Sequence, residues 1–176
     1  MLIRLLAILM LTLIPSAQSY GQGDEVPREY QVKAKYLLNI PRYTEMLLKT
    51  QDTSFYTICL IGDTPMESLL VSAKGKLIKN IPLAVRRIEN ISQADGCQML
   101  FIASSQRNRL QKLLPEAHRL GILTISDMPD FARMGGIISL QTVENRVIFD
   151  LNLTAASNSS ITFSSHLLKL ARDIIN

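Results

Sequence analysis

Residues 97–126 read CQMLFIASSQRNRLQKLLPEAHRLGILTIS, and this segment predicts the fold class. It begins with an almost fully apolar run at 97–103 and ends with a second short apolar run at 121–126, each typical of a buried strand. Between them, apolar residues recur at helical spacing and predict a helix over 106–119. Two strands joined through a helix indicate parallel pairing, so this half of the chain predicts a parallel sheet.

The same alternation of strands and helices extends toward the N-terminus. Strands are predicted at 55–62 and 81–88, and a helix that starts at Thr64 separates them. Residues 28–49 have helical periodicity, but Pro41 lies inside this run and must kink or break the helix. Because the strands are largely apolar, both faces of the sheet should be covered. We therefore expect an α/β fold, a single-domain sandwich with a largely parallel central sheet and helices on both faces.

The C-terminal part of the chain predicts antiparallel pairing. Two apolar runs flank VENR, residues 143–146, and Glu144 with Asn145 is suited to a tight turn. This pattern predicts a C-terminal antiparallel β-hairpin at the sheet edge. Residues 166–175 carry apolar side chains at helical spacing, so we expect an amphipathic helix to close the chain.

The pair Gly135-Gly136 raises the question of a phosphate-binding loop. Such a loop requires a strand, then glycines, then the N-terminus of a helix. Here a short helix-like run at 128–133 precedes the glycines, and a strand-like run at 137–142 follows them. Gly135 is therefore expected to end a helical turn, and the pair is interpreted as a corner of the fold.

The N-terminus predicts export. One arginine precedes an apolar run at 5–14, and a proline and small residues follow. This order is that of a secretory signal peptide, which we place at residues 1–19, with a membrane anchor as the alternative. The run is shorter than the roughly 20 residues that a spanning helix needs, which favours the signal peptide. Residues 20–27 are then a flexible N-terminus, and 28–176 form the folded, exported domain.

The net charge narrows the possible partners. The formal charge of +4 falls to +3 when residues 1–19 are removed with Arg4, and the surplus is scattered along the chain. A nucleic-acid partner is therefore not expected.

The chain has two cysteines, Cys59 and Cys97, and an even number in an exported protein favours a disulfide. The alternative is two separate buried thiols.

The residues that could carry chemistry do not form a catalytic pattern. His118 and His166 have no metal-ligating partner at helical or turn spacing, and the serine pairs lack the nucleophile motif of hydrolases. Asp63, Asp127 and Asp150 lie near the ends of predicted strands, where α/β enzymes keep acids. No partner residue can be identified for them, so turn and cap roles are the favoured explanation. We therefore expect no enzymatic activity, no metal and no cofactor.

Blocks along nearly the whole predicted domain resemble a known family. They are VKAKYLLNIPRYTE (32–45), YTICLIGDTPM (56–66), GCQMLFIASS (96–105), ILTISDMPDFARMGGIISL (122–140), RVIFDLNLTAA (146–156) and ITFSSHLLKLA (161–171). In this order and spacing they resemble the YfiR-like family of bacterial periplasmic proteins. The resemblance implies a YfiR-like α/β domain over 28–176 and a periplasmic location after cleavage of the signal peptide.

The resemblance also implies a regulatory role. A member of this family binds the periplasmic sensor domain of an inner-membrane diguanylate cyclase and holds it inactive, which keeps cyclic di-GMP and biofilm formation low. It further implies a homodimer without direct membrane insertion. Where the family has Trp-Pro after its opening helix, this chain has Met46 and Leu47. Together with Tyr43, these two residues form the candidate partner-binding surface.

Two other classes of function remain open at the level of sequence. A small-ligand binding or sensing module would use the crevice at the carboxyl ends of the parallel strands, near Gly62-Asp63 and Ser104-Ser105. A hydrolase with dispersed catalytic residues is the third and least favoured class.

Overall fold

A computed structural model describes residues 25–46 and 54–176 of the chain. The described helices are α1 (Arg28–Asn39), α2 (Glu67–Ser72), α3 (Leu110–Arg119), α4 (Leu153–Asn158) and α5 (Ser165–Leu170). The described strands are β1 (Thr44–Met46), β2 (Tyr56–Ile61), β3 (Leu77–Ile78), β4 (Ile81–Ile88), β5 (Met99–Ile102), β6 (Leu123–Ser126), β7 (Ile138–Val143), β8 (Arg146–Asn152), β9 (Ile161–Phe163) and β10 (Asp173–Ile175). The predicted signal peptide, most of the predicted flexible N-terminus and Leu47 lie outside these residues.

In the described part of the chain, a mostly parallel sheet of eight strands forms the centre of the domain. Its strand order is β10-β8-β7-β6-β5-β2-β4-β3, and β4, β2, β5, β6 and β7 run parallel to one another. The hairpin of β7 and β8 is antiparallel, and Glu144 and Asn145 make its tight turn with positive φ angles of 47° and 62°. The predicted α/β fold with a largely parallel sheet is confirmed.

Hydrophobic cores lie on both faces of this sheet. Side chains alternate along β2, so that Ile58 belongs to one buried cluster and Cys59 to the other. The first cluster, on the face covered by α1, includes Leu37 of that helix. The second cluster, on the face covered by α3, includes Leu113. Burial on both faces explains why the central strands are apolar throughout.

The predicted closing helix over 166–175 is wrong in its second half. Helix α5 ends at Leu170, and Ala171 adopts an extended conformation with ψ of 139°. The backbone N–H of Arg172 then donates to the carbonyl of Phe149 at 2.9 Å, which begins the parallel pairing of β10 with β8. β10, and not the hairpin, therefore forms this edge of the sheet. It does so because the outer side of β8 offers backbone groups that would otherwise lack hydrogen-bond partners.

The first predicted helix is shorter than its periodicity suggests. It ends at Asn39, two residues before Pro41, where the sequence predicted a kink or break. A 3-10 turn, Ile40–Tyr43, follows, and then β1 pairs with β9 in a separate two-stranded sheet. Tyr43 and Met46 therefore lie on a turn and a strand and not on a helix.

Two other helices begin later than predicted. Helix α2 starts at Glu67, and the Thr64 hydroxyl accepts a hydrogen bond from the Met66 N–H at 3.3 Å in the preceding turn. Helix α3 starts at Leu110, and a 3-10 helix, Ser104–Arg109, occupies the segment before it. In both cases a turn or 3-10 helix precedes the α-helix, which therefore begins a few residues later than the sequence pattern suggests.

The glycine pair is a corner, as predicted. Gly135 has a φ of +95°, and a sequence of turns precedes it. The N–H of Gly136 donates to the carbonyl of Phe131 at 2.9 Å, and β7 begins directly afterwards at Ile138. The chain passes from the glycines into a strand and not into a helix, so the arrangement lacks the polarity of a phosphate loop.

Candidate functional site

The two cysteines form a disulfide across neighbouring strands. Cys59 lies within β2, Cys97 lies just before β5, and their Cα atoms are 5.8 Å apart. Both residues are buried, and the Arg86 guanidinium lies 3.2 Å from the Cys97 sulfur. The disulfide predicted from the even number of cysteines is present, and the alternative of two separate thiols is excluded.

The candidate partner-binding residues have different surroundings. The Tyr43 side chain is 37% exposed, and its ring lies 5.3 Å from the ring of His166 on α5. Met46 is partly buried and packs against the core on the α1 face. Leu47 lies outside the described residues. The structure thus places the ring of Tyr43 against that of His166. The sequence did not reveal this contact, because no local pattern links positions so far apart.

A buried charge cluster connects α1 with the end of β6. The Lys33 side chain is 6% exposed, and its ammonium lies 4.0 Å from a carboxylate oxygen of Asp127 and 3.7 Å from Glu29. The same ammonium lies over the ring of Tyr30, 4.9 Å from its centroid. The sequence placed Asp127 at a strand end but did not reveal these partners, because they belong to α1, which is far from Asp127 in the sequence.

Burial dominates the protonation behaviour of this cluster. Removal from water raises the pKa of the Asp127 carboxyl, and the Lys33 charge offsets only part of that rise. The Tyr30 hydroxyl has a raised pKa for the same reason, with a further contribution from the Asp127 charge. One Asp127 oxygen, Oδ1, has no hydrogen-bond partner among the described residues. Asp127 therefore costs the fold some stability when it is ionised.

This cost predicts a dependence of stability on pH. Because the folded-state pKa of Asp127 is above the ordinary value of 3.8, the carboxyl contributes stability below pH 3.8, and that contribution is lost as the pH rises through the folded-state pKa. We expect the unfolding free energy of the wild type, relative to Asp127→Asn, to fall as pH rises from about 3.5 to about 7. Urea denaturation across this range measures the difference. A difference in unfolding free energy that stays constant over this pH range would contradict the raised pKa of Asp127. The matched control is Asp95→Asn, because Asp95 is exposed.

The strand ends suggested for a small-ligand site lie in close contact with each other. A Cβ atom at Gly62 would lie 2.7 Å from the Ser105 hydroxyl and 2.9 Å from Gln106, so the end of β2 and the segment after β5 are in close contact. Asp63 forms an ion pair with Arg87, which also binds Glu67 at 2.6 Å. The acid at this strand end is thus engaged in a surface ion pair.

Asp150, the remaining acid near the end of a predicted strand, also has a structural partner. The buried Asp150 accepts two hydrogen bonds from the Arg172 guanidinium, which fixes β10 to β8. Within residues 25–46 and 54–176, no group of histidine, cysteine, aspartate or glutamate side chains could hold a metal ion. In the same residues, no helix has the length and apolar character needed to cross a membrane.

Two solved structures share this fold. An ABC domain from Streptococcus pneumonia, solved with L-Trp, has a TM-score of 0.58 and 9% identity, and the match covers 84% of this chain and 60% of that chain. A conserved domain protein from Vibrio cholerae has a TM-score of 0.52 and 14% identity, with 86% and 61% covered. This chain therefore spans about three fifths of both neighbours, and the likeness concerns the fold alone. A comparison with curated proteins finds no match.

The sheet, the two buried cores and the disulfide together define a disulfide-bonded α/β domain. The model of the YfiR/HmsC-like family matches residues 30–172, which is most of the chain. The protein belongs to the YfiR/HmsC-like family. Membership indicates a periplasmic protein of regulatory rather than catalytic type, and the disulfide agrees with an oxidising compartment.

Proposed function

We propose that this protein represses an inner-membrane diguanylate cyclase by binding the periplasmic sensor domain of that enzyme. In this proposal the protein is exported, acts as a homodimer and lowers cyclic di-GMP and biofilm formation without catalysis of its own. The observation that carries the proposal is the family match over residues 30–172.

The proposed contact surface consists of Tyr43, Met46 and Leu47. Tyr43 presents an exposed aromatic side chain at the 3-10 turn, and His166 supports its ring from α5. An aromatic side chain held in place in this way suits the centre of a protein interface, because it buries a large area at low cost in conformational entropy. Met46 has a flexible thioether side chain that can adapt to a partner, although part of it packs against the core.

The two candidate contact residues that the structure describes differ in burial. Burial of Met46 against the core means that a charge at this position would also lower stability. Tyr43 is exposed, so a charge there should disturb the partner surface and leave the fold intact. Tyr43 is therefore the sharper position for a test.

We expect Tyr43→Asp to release the cyclase and to raise cyclic di-GMP to the level of a strain that lacks the gene. The charge would have to be desolvated within an apolar interface, which typically costs several kcal/mol of binding. Cyclic di-GMP is measured in cells that carry the wild-type gene, the variant or a deletion. Light scattering of the purified proteins reports the molar mass and shows whether the variant retains the oligomeric state.

The matched control is Val143→Asp, which places the same charge on an exposed apolar residue at the hairpin of β7 and β8. This variant should repress as the wild type does. Unchanged cyclic di-GMP after deletion of the gene would contradict the proposed function. A rise with both aspartate variants would contradict the location of the surface.

A further inference from the structure

A groove runs along α3 on the face of the sheet opposite α1. One wall is α3 together with the 3-10 helix Ser104–Arg109 that precedes it, and the other is the turn that carries Met134 and Gly135. The volume is about 770 Å³, within the range of pockets that hold small organic ligands. Leu110 and Leu114 form an apolar floor, and the partly buried Met134 lies beside them.

One end of the groove carries an exposed positive charge. The Arg107 guanidinium makes a long hydrogen bond, 3.4 Å, to the backbone carbonyl of Pro129, and no carboxylate among the described residues forms an ion pair with it. Most of its five donors therefore remain available to an anion. Guanidinium groups bind carboxylates, sulfonates and phosphates through paired N–H donors.

The middle of the groove has a backbone acceptor without its helical partner. Pro115 lies inside α3 and has no N–H, so the carbonyl of Gln111 cannot make its usual helical hydrogen bond. Gln111 and Pro115 both line the groove. A ligand N–H or O–H group would satisfy this carbonyl, since unpaired backbone acceptors favour a donor when one is near.

The environment at the other end of the groove favours the neutral form of a histidine. His118 is half-buried there, and burial lowers the pKa of its imidazole, although the backbone of Gly135 beside it has the opposite, smaller effect. Charge is thus concentrated at the Arg107 end, and apolar surface lies between the two ends. This asymmetry fixes the orientation that a ligand with one charged group would adopt.

We propose that the groove binds a small organic anion with an apolar body, such as an aliphatic or aromatic carboxylate. The anionic group binds Arg107, the apolar body lies on Leu110, Leu114 and Met134, and a donor on the ligand binds the Gln111 carbonyl. The site lies on the opposite face of the sheet from Tyr43, so it does not depend on the proposed contact with the cyclase.

Two fluorescent probes separate the contribution of the charge from that of the apolar surface. 1-Anilinonaphthalene-8-sulfonate has an aromatic body, an N–H donor and a sulfonate, whereas N-phenyl-1-naphthylamine has the same body and donor without the charge. We expect the wild type to bind the sulfonate saturably. Arg107→Gln should weaken that affinity about tenfold and leave the affinity for the uncharged probe unchanged. Lys112→Gln, an exposed cation on α3 outside the groove lining, is the matched control and should change neither.

A second variant tests the apolar surface. Met134→Ser should weaken the binding of both probes severalfold, because both lose the same apolar contact. Variants are compared only when their near-ultraviolet circular dichroism matches that of the wild type. Equal sulfonate affinity of the wild type and Arg107→Gln would overturn the proposal, as would the absence of saturable sulfonate binding to the wild type.

Discussion

Replacement of Cys59 and Cys97 by alanine is expected to lower the free energy of unfolding by roughly 4 kcal/mol. The disulfide joins residues separated by 38 positions, and closure of such a loop removes much conformational freedom from the unfolded chain. Cys59 is fully buried in the centre of β2, so loss of its sulfur also removes packing in the core on the α3 face. This effect is a large fraction of the stability of an ordinary domain.

Urea denaturation of oxidised wild type and of the double variant measures this difference. A reductant should destabilise the wild type by a similar amount. It should leave the double variant unchanged, and that variant therefore controls for effects of the reductant other than reduction of the disulfide. A loss below about 1 kcal/mol would mean that the disulfide contributes little, as occurs when the unfolded state keeps structure or the bond is strained.

The disulfide and the parallel sheet could be predicted because neither prediction requires knowledge of the tertiary contacts. The even number of cysteines and the exported context favour the bond without any knowledge of the fold. The segment 97–126 contains a complete strand–helix–strand unit. The observed strands β5 and β6 pair in parallel, and α3 connects them. Here local propensity and tertiary packing agree, which is the condition under which sequence patterns predict structure best.

The closing strand could not be predicted because its partner decides its conformation. Asp173–Ile175 continues a helical periodicity, yet the unpaired edge of β8 offers backbone hydrogen bonds that a last turn of helix would leave unused. The Arg172 guanidinium also binds Asp150 on β8 and fixes the chain at this edge. Tertiary contacts therefore override a helical pattern that has only a few residues to support it.

The candidate sites depend even more on contacts that periodicity does not encode. Lys33 occupies a position in α1 that suits either a core or a surface residue, and only the fold places its ammonium near Asp127. The groove along α3 likewise arises from the packing of the Met134 turn against the helix. The exception is Pro115, whose presence in a predicted helix signals that the carbonyl of Gln111, one turn earlier, lacks its usual helical N–H donor.

Gly136→Ala is expected to destabilise the protein by about 3 kcal/mol, because a methyl group has no space at this corner. A Cβ atom would lie 2.1 Å from one ring carbon of Phe131 and within 2.4 Å of two others. Phe131 is completely buried in the core on the α3 face, and its own carbonyl binds the Gly136 N–H. The ring can move only if the core around it moves, and close-packed interiors resist such movement.

Gly96→Ala separates this steric effect from backbone strain. Gly96 has a φ of +76°, and no atom lies within 4 Å of the place where its Cβ would be. Alanine there should cost only about 1–2 kcal/mol, the usual penalty for a left-handed conformation. Gly136 is not in that conformation, so an equal or smaller loss for Gly136→Ala than for Gly96→Ala would contradict the steric explanation.

A double-mutant cycle with Phe131→Ala identifies the clashing partner. Phe131→Ala alone should cost about 3–5 kcal/mol, because it leaves a cavity in a buried cluster. In that background the new methyl group of Gly136→Ala meets the cavity instead of the ring, and its cost should fall close to zero. The two substitutions would then show an interaction energy of about 3 kcal/mol, far above the few tenths expected for independent sites. Additive losses would instead mean that Gly136 is required for a reason other than the Phe131 ring.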